Sequence, residues 1–181
     1  MMRAEMPYPH KNIRLHASRY VGERSYFVTI CCERRRRIFA SGANAEWLID
    51  NLGAKTATFS FSVYAYCVMP DHFHALVTGL EPASDLLAFV EAFKQATSHE
   101  YHAKHFVVLW QKKFYDRILR ASDSFDAVAG YIWMNPVRKG MVADAREYPY
   151  SGSLLIDWRR SFQPIETWVP EWKSKPGSEP A

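Results

Sequence analysis

Residues 59–78 read FSFSVYAYCVMPDHFHALVT. Two aromatic and β-branched runs flank the pair Pro70-Asp71. Such runs favour extended backbone and Pro-Asp is a turn signal, so an antiparallel hairpin is predicted, with strands over 59–69 and 72–78. Upstream, residues 25–32 (SYFVTICC) predict a strand and 43–58 an amphipathic helix around Trp47, Leu48 and Leu52. Downstream, Ser84 or Asp85 caps a long helix reaching about residue 104, with Leu86, Leu87, Phe89, Val90 and Phe93 on its apolar side. Of two short apolar pieces, 106–109 and 114–119, one supplies a fourth strand. A last helix over 122–135, capped by Ser122 or Asp123, ends at Pro136. Strand, helix, strand, strand, helix, strand, helix is the split βαβ pattern of a ferredoxin-like α+β sandwich, an antiparallel sheet with helices packed on it.

The chain has 181 residues, 48% of them apolar and 23% charged, which fits one globular domain and excludes wholesale disorder. A single domain is expected over 1–160, with a basic N-terminal arm, and a proline-rich, loosely packed tail over 161–181. No apolar run is long enough to span a membrane, and the first residues lack the apolar core of a signal peptide. Three cysteines, two of them adjacent, exclude a disulfide scaffold, so a reducing cytoplasm is expected. Charge is uneven: residues 1–40 hold nine Lys/Arg against three acids. The run Arg34-Arg35-Arg36-Arg37 closes that segment, either as a phosphate-binding edge or as a solvated loop.

On the second hairpin strand, alternation turns His72 and His74 to one face and Phe73 to the other. Two adjacent imidazoles can hold one divalent metal, although a His-x-His pair taken alone is a weak signal that better describes two surface histidines on a sheet. On the last helix Tyr131 and Asn135 stand at i and i+4, roughly 5–6 Å apart at Cβ. Asn135 offers a carbonyl oxygen to a metal. Tyr131 offers a phenol that is a competent nucleophile once its ionised form is favoured, or else an aromatic that packs the helix on the sheet.

The pairing of VMPDHFHALV (68–77) with YIWMNPVRKGMV (131–142) resembles the REP-associated tyrosine transposases, within the insertion-sequence-200-like transposases and the wider HUH single-tyrosine nucleases. LWQKKFYDRILR (109–120), EYPYS (147–151) and the segment 19–39 resemble the same family. The resemblance spans roughly residues 14 to 155. It implies the HUH nuclease fold, with His72, His74 and Asn135 as ligands of Mg²⁺ or Mn²⁺ and Tyr131 as nucleophile. The implied activity is single-strand DNA cleavage and rejoining beside REP-type hairpins through a 5′-phosphotyrosine. The other reading from the same residues is a domesticated, non-catalytic hairpin-binding protein. The family often carries histidine after the aspartate of the WQ…FYD segment, whereas Arg117 follows Asp116 here.

The expected partner is hairpin DNA. Phosphate contacts are expected from Arg34, Arg35, Arg36, Arg37, Lys112, Lys113, Arg117, Arg120, Arg138 and Lys139. Trp110 and Trp133 are candidates for base stacking or for core packing. The resemblance implies a cytoplasmic, nucleoid-associated monomer, although related transposases form dimers. Tyr115 ranks below Tyr131 because position 119 is leucine, not an amide. His99, His102 and His105 recur every third residue and rotate around their helix. Leu76 breaks a His-x-His-x-His pattern.

Overall fold

The computed structural model describes residues 15–163. The elements are β1 (Ser25–Cys31), α1 (Gly42–Thr58), β2 (Phe61–Met69), β3 (His72–Gly79), α2 (Leu86–His105), β4 (Tyr115–Ile118), α3 (Phe125–Trp133), α4 (Asn135–Arg138), β5 (Ser151–Gly152) and α5 (Trp158–Ser161). The strands form one sheet in the order β4-β1-β3-β2-β5, and every pairing is antiparallel. The inner four follow the ferredoxin-like order that the split βαβ pattern predicts. The two-residue β5 extends the β2 edge; it was not expected, since two residues carry no periodic signal.

The sheet has a core on each face. Val28, Ile30, Phe73, Ala75 and Val77 pack with Leu48 and Leu52 of α1 and Phe89, Val90 and Phe93 of α2. Phe27, Leu76 and Met69 pack with Val128, Tyr131 and Ile132 of α3 and with Trp158 and Phe162 near α5. Strand β2 changes parity along its length: Phe61, Val63, Tyr66 and Val68 share the first core, while Ala65, Cys67 and Met69 share the second. A bulge between Val63 and Ala65 inserts the extra residue responsible. Gly152 lies against Tyr66, and a β-carbon there would collide with the phenol hydroxyl.

Three expectations are corrected. First, α3 is capped by Ser124, whose hydroxyl accepts from the Ala127 N–H. Asp123 is otherwise engaged, accepting from Arg117 Nη2 and from the Arg120 N–H, each at 2.8 Å. Second, the helix does not run to 135. It ends at Trp133, and Asn135 opens the short α4, in whose first turn Pro136 needs no amide proton. Third, the start of the stretch expected to be loosely packed is not so: α5 includes Ser161, and Phe162 is buried against Trp133 and Trp158. Residues 1–14, at the start of the basic N-terminal segment, and residues 164–181 of the proline-rich tail lie outside the described residues. Asp85 caps α2, accepting from the N–H groups of Leu87 and Ala88. Tyr115–Ile118 is the fourth strand. Among the described residues no helix is long and apolar enough to cross a membrane.

Candidate functional site

The site lies on the α3 face of the sheet. Thr29 of β1 pairs with His74 of β3, and Cys31 pairs with His72, so all four occupy the end of the central strands. The two imidazoles meet edge to face, with centroids 4.6 Å apart. Each has its Nδ1 engaged. His72 Nδ1 lies 2.6 Å from Asp71 Oδ1, and His74 Nδ1 shares a 2.7 Å hydrogen bond with the Thr29 hydroxyl. With Nδ1 held in this way, Nε2 is the nitrogen that would meet a cation; carboxylate or hydroxyl support of this kind is what metal-ligating histidines use. Burial pushes the His72 imidazole below its ordinary pKa, and the Asp71 carboxylate pulls against that shift. The neutral form, the one that ligates, is therefore favoured.

Asp71 also pairs with Arg35 at 3.1 Å, and Arg35 donates to Cys31 Sγ at 2.9 Å. One member of the arginine run is thus tied into the support of His72. Arg36 donates to the carbonyls of Glu33 and Val108. Arg34 and Arg37 are exposed.

Across the site, Asn135 is buried and its Nδ2 donates to the carbonyls of Tyr131 (3.1 Å) and Ile132 (3.2 Å). Pro136 has no N–H to offer the preceding turn, and the Asn135 amide serves those carbonyls instead. Carbonyls only accept, so the NH₂ faces them and Oδ1 faces away. Two imidazoles and an amide oxygen suit a hard-to-borderline divalent cation. Among the described residues no group of three His, Cys, Asp or Glu side chains forms a metal cluster.

Tyr131 is 6% exposed. Its ring meets His74 (6.4 Å) and Phe27 (6.0 Å) edge to face. The Arg138 guanidinium lies over the ring at 4.0 Å and donates to the Tyr131 carbonyl at 2.6 Å. Arg138, expected as a phosphate contact, is thus engaged with the tyrosine. Arg117 is paired with Asp123. Arg120, Lys112, Lys113 and Lys139 are exposed.

Both tryptophans turn out to be core residues. Trp110 is 3% exposed, packs on Phe39 and Phe93, and donates Nε1–H to the Thr97 hydroxyl at 2.8 Å. Trp133 donates to the Gly152 carbonyl at 3.0 Å and stacks on Trp158 at 4.8 Å. Neither presents a face to a base. Tyr115 packs on Phe27 within β4. The sequence reading missed Thr29 and gave Asp71 only a turn. The signal for Asp71 was its place directly before the His-x-His pair.

A sheet presenting a His-x-His pair beneath a tyrosine-bearing helix is the arrangement of the HUH fold. The model of the family "Transposase IS200 like" matches residues 20–135, and the chain belongs to that family. The matched span holds His72, His74, Tyr131 and Asn135. A REP-associated tyrosine transposase of Escherichia coli (strain K12) is 27% identical over 106 residues, covering 59% of this chain and 62% of that protein. The chain thus spans under two thirds of that relative's length. A Haemophilus influenzae protein named for the same group is 24% identical over 141 residues, 70% of this chain and 77% of its own. Among solved structures, a REP-associated tyrosine transposase bound to a REP hairpin superposes with a TM-score of 0.70 at 22% identity, covering 94% of this chain and 98% of the other. At that identity the likeness shows the fold.

Proposed function

We propose that this chain is a single-strand DNA endonuclease and strand transferase that cuts beside REP-type hairpins, working in the cytoplasm on nucleoid DNA. The observation that carries the reading is the contact of the Tyr131 ring with His74, which itself meets His72 edge to face, while the Asn135 amide bonds the Tyr131 carbonyl. Because a single chain supplies all four, a monomer suffices. The names of the relatives support the hairpin substrate.

His72, His74 and Asn135 would hold Mg²⁺ or Mn²⁺. Bound there, the cation would draw charge from a non-bridging phosphate oxygen. Tyr131 Oη attacks the phosphorus in line and loses its proton, and the 3′-oxygen leaves as a hydroxyl. The product is a 5′-phosphotyrosine that keeps the energy of the diester. A second 3′-hydroxyl then attacks the same phosphorus and releases the tyrosine, so the strand is rejoined without a nucleotide cofactor. The Arg138 stack and the Phe27 and His74 edges hold the ring in one orientation while this occurs. Of the cations expected to contact phosphate, Arg34, Arg35, Arg37, Lys112, Lys113, Arg120, Arg138 and Lys139 are exposed.

The test is a REP hairpin oligonucleotide labelled on the 3′ side of the cut. Wild type should become covalently labelled, and chelator should suppress the adduct. Tyr131→Phe should abolish labelling yet still bind the hairpin, whereas Tyr115→Phe should label normally. An adduct persisting in Tyr131→Phe would overturn the mechanism.

A further inference from the structure

We propose that Phe106 and Val108, on the loop joining α2 to β4, form a ledge on which an unpaired base of single-stranded DNA stacks, with its phosphates following Lys112, Lys113 and the exposed arginines of the 34–37 turn. The proposal rests on the DNA-cleaving reading above and adds to it a place where the strand is held.

The ledge lies at the functional end of the sheet. Helix α2 starts beside the beginning of β1, where Asp85 bridges Val21. Its twenty residues run about 30 Å, which carries its end to the opposite end of the sheet, the end bearing His72. There the loop lies along the turn that follows β1. Glu33 N–H donates to the Leu109 carbonyl at 2.8 Å, Gln111 N–H donates to the Cys31 carbonyl at 2.9 Å, and Trp110 bridges Cys32. Through Arg35 and Asp71 that turn is continuous with His72.

The loop is fixed from inside. Leu109 and Trp110 are buried. Lys94 Nζ donates to the carbonyls of Gln111 and Lys112 at 2.8 and 2.9 Å, and Arg36 Nη2 donates to that of Val108 at 3.2 Å. What this rigid segment turns outward is Phe106, 81% exposed, Val108, 58% exposed, and the exposed Lys112 and Lys113.

Phe106 is the residue that folding alone does not explain. It sits at the C-terminal cap of α2 with φ 56°, the left-handed region where helices ordinarily place glycine because a β-carbon resists it. Its N–H bonds the His102 carbonyl at 2.8 Å, so the conformation is anchored. The ring meets the His102 imidazole edge to face, with centroids 6.1 Å apart, and is otherwise open to water, so the chain accepts backbone strain and a largely exposed aromatic ring at one position. An exposed ring on the segment that also turns Lys112 and Lys113 outward fits a base face together with a phosphate backbone. The surrounding positive charge favours a polyanion over an apolar protein surface.

The test uses fluorescence anisotropy with two probes: a REP hairpin carrying a single-stranded flank, and an unstructured oligothymidylate. Phe106→Gly should raise the melting temperature, since it relieves the left-handed strain, while weakening both affinities about tenfold. Phe106→Trp should retain them. The double variant Lys112→Ala with Lys113→Ala should flatten the slope of log affinity against log salt by about 1.4, which Phe106→Gly should leave unchanged. Wild type that binds the probes no better than Phe106→Gly overturns the ledge and leaves the DNA-cleaving reading standing. Wild type that binds neither probe removes both. Concentration-dependent self-association lost in Phe106→Gly would assign the ledge to a second copy of the chain and overturn the DNA contact.

Discussion

The guanidinium of Arg138 lies 4.0 Å from the Tyr131 ring centroid and donates to the Tyr131 carbonyl at 2.6 Å, so one side chain holds both the ring and the backbone of the same tyrosine. A planar, delocalised cation can make both contacts, whereas a lysine ammonium cannot stack. Arg138→Ala should slow adduct formation on the hairpin about tenfold or more, with a much smaller change in hairpin affinity. Arg138→Lys should recover only part of the rate. Single-turnover labelling alongside anisotropy separates the two effects. An affinity loss as large as the rate loss, with a flatter salt slope, would return Arg138 to the phosphate contacts.

Asp71 and Thr29 hold the two imidazoles through their Nδ1 atoms. Asp71→Asn and Thr29→Val should each lower Mn²⁺ affinity by about 10- to 100-fold, read by isothermal titration calorimetry. Unchanged affinity in both variants would place the ion away from His72 and His74.

Trp110 supplies a test of what burial means here. Its Nε1–H bond to Thr97 and its contacts with Phe39 and Phe93 belong to the core. Trp110→Phe should lower stability in urea unfolding by about 1–3 kcal/mol and leave DNA affinity as it was. A selective loss of DNA affinity with unchanged unfolding would restore the stacking role.

The cysteines give the chain an alkaline weakness. Burial pushes the thiols of Cys32 and Cys67 up to about 12, against about 8.5 in an unfolded chain. The folded state therefore keeps protons that the unfolded chain releases. The resulting stability is whole below about pH 8.5 and is lost as pH climbs toward 12. Urea midpoints should fall between about pH 8 and about pH 10.5, and Cys67→Ala should reduce the fall. In the native protein at about pH 8, a thiol reagent should reach the partly exposed Cys31 first, with Cys32 and Cys67 reacting on unfolding.

What the sequence made legible, and what it hid, follows from the range of the interactions involved. The hairpin at Pro70-Asp71 and the shared face of His72 and His74 depend on neighbours a few residues apart, so alternation and turn chemistry were enough. The bond from His74 to Thr29 joins residues 45 apart and has no local trace. Trp110 sits beside two lysines in sequence, which looks like a nucleic-acid surface. Only the packing of α2 against the sheet shows that the indole points inward while Lys112 and Lys113 point out. Asp123 looked like a helix cap, but a salt bridge to Arg117 claimed it. Tyr131 and Asn135 are joined by the bond from Asn135 Nδ2 to the Tyr131 carbonyl, yet the helix breaks at Met134 ahead of Pro136, an effect that residue spacing alone does not display.

The β2–β3 hairpin pairs Met69 with His72 across two residues, with Phe73 in one core and both histidines on the opposite face. Gain or loss of a single residue in this turn would exchange those roles at a stroke, sending imidazoles into the apolar layer beneath α1 and α2 and a phenyl ring to the face beneath α3. Length variation at this turn should therefore be all but forbidden in descendants of this gene. The bulge in β2 shows the kind of change that escapes the ban: it lies on the partner strand, upstream of the histidines, and shifts parity without moving them. Insertional drift in this lineage should accumulate on the β2 side and in the outer loops, leaving the Pro70-Asp71 corner as the fixed point from which the rest of the sheet is counted.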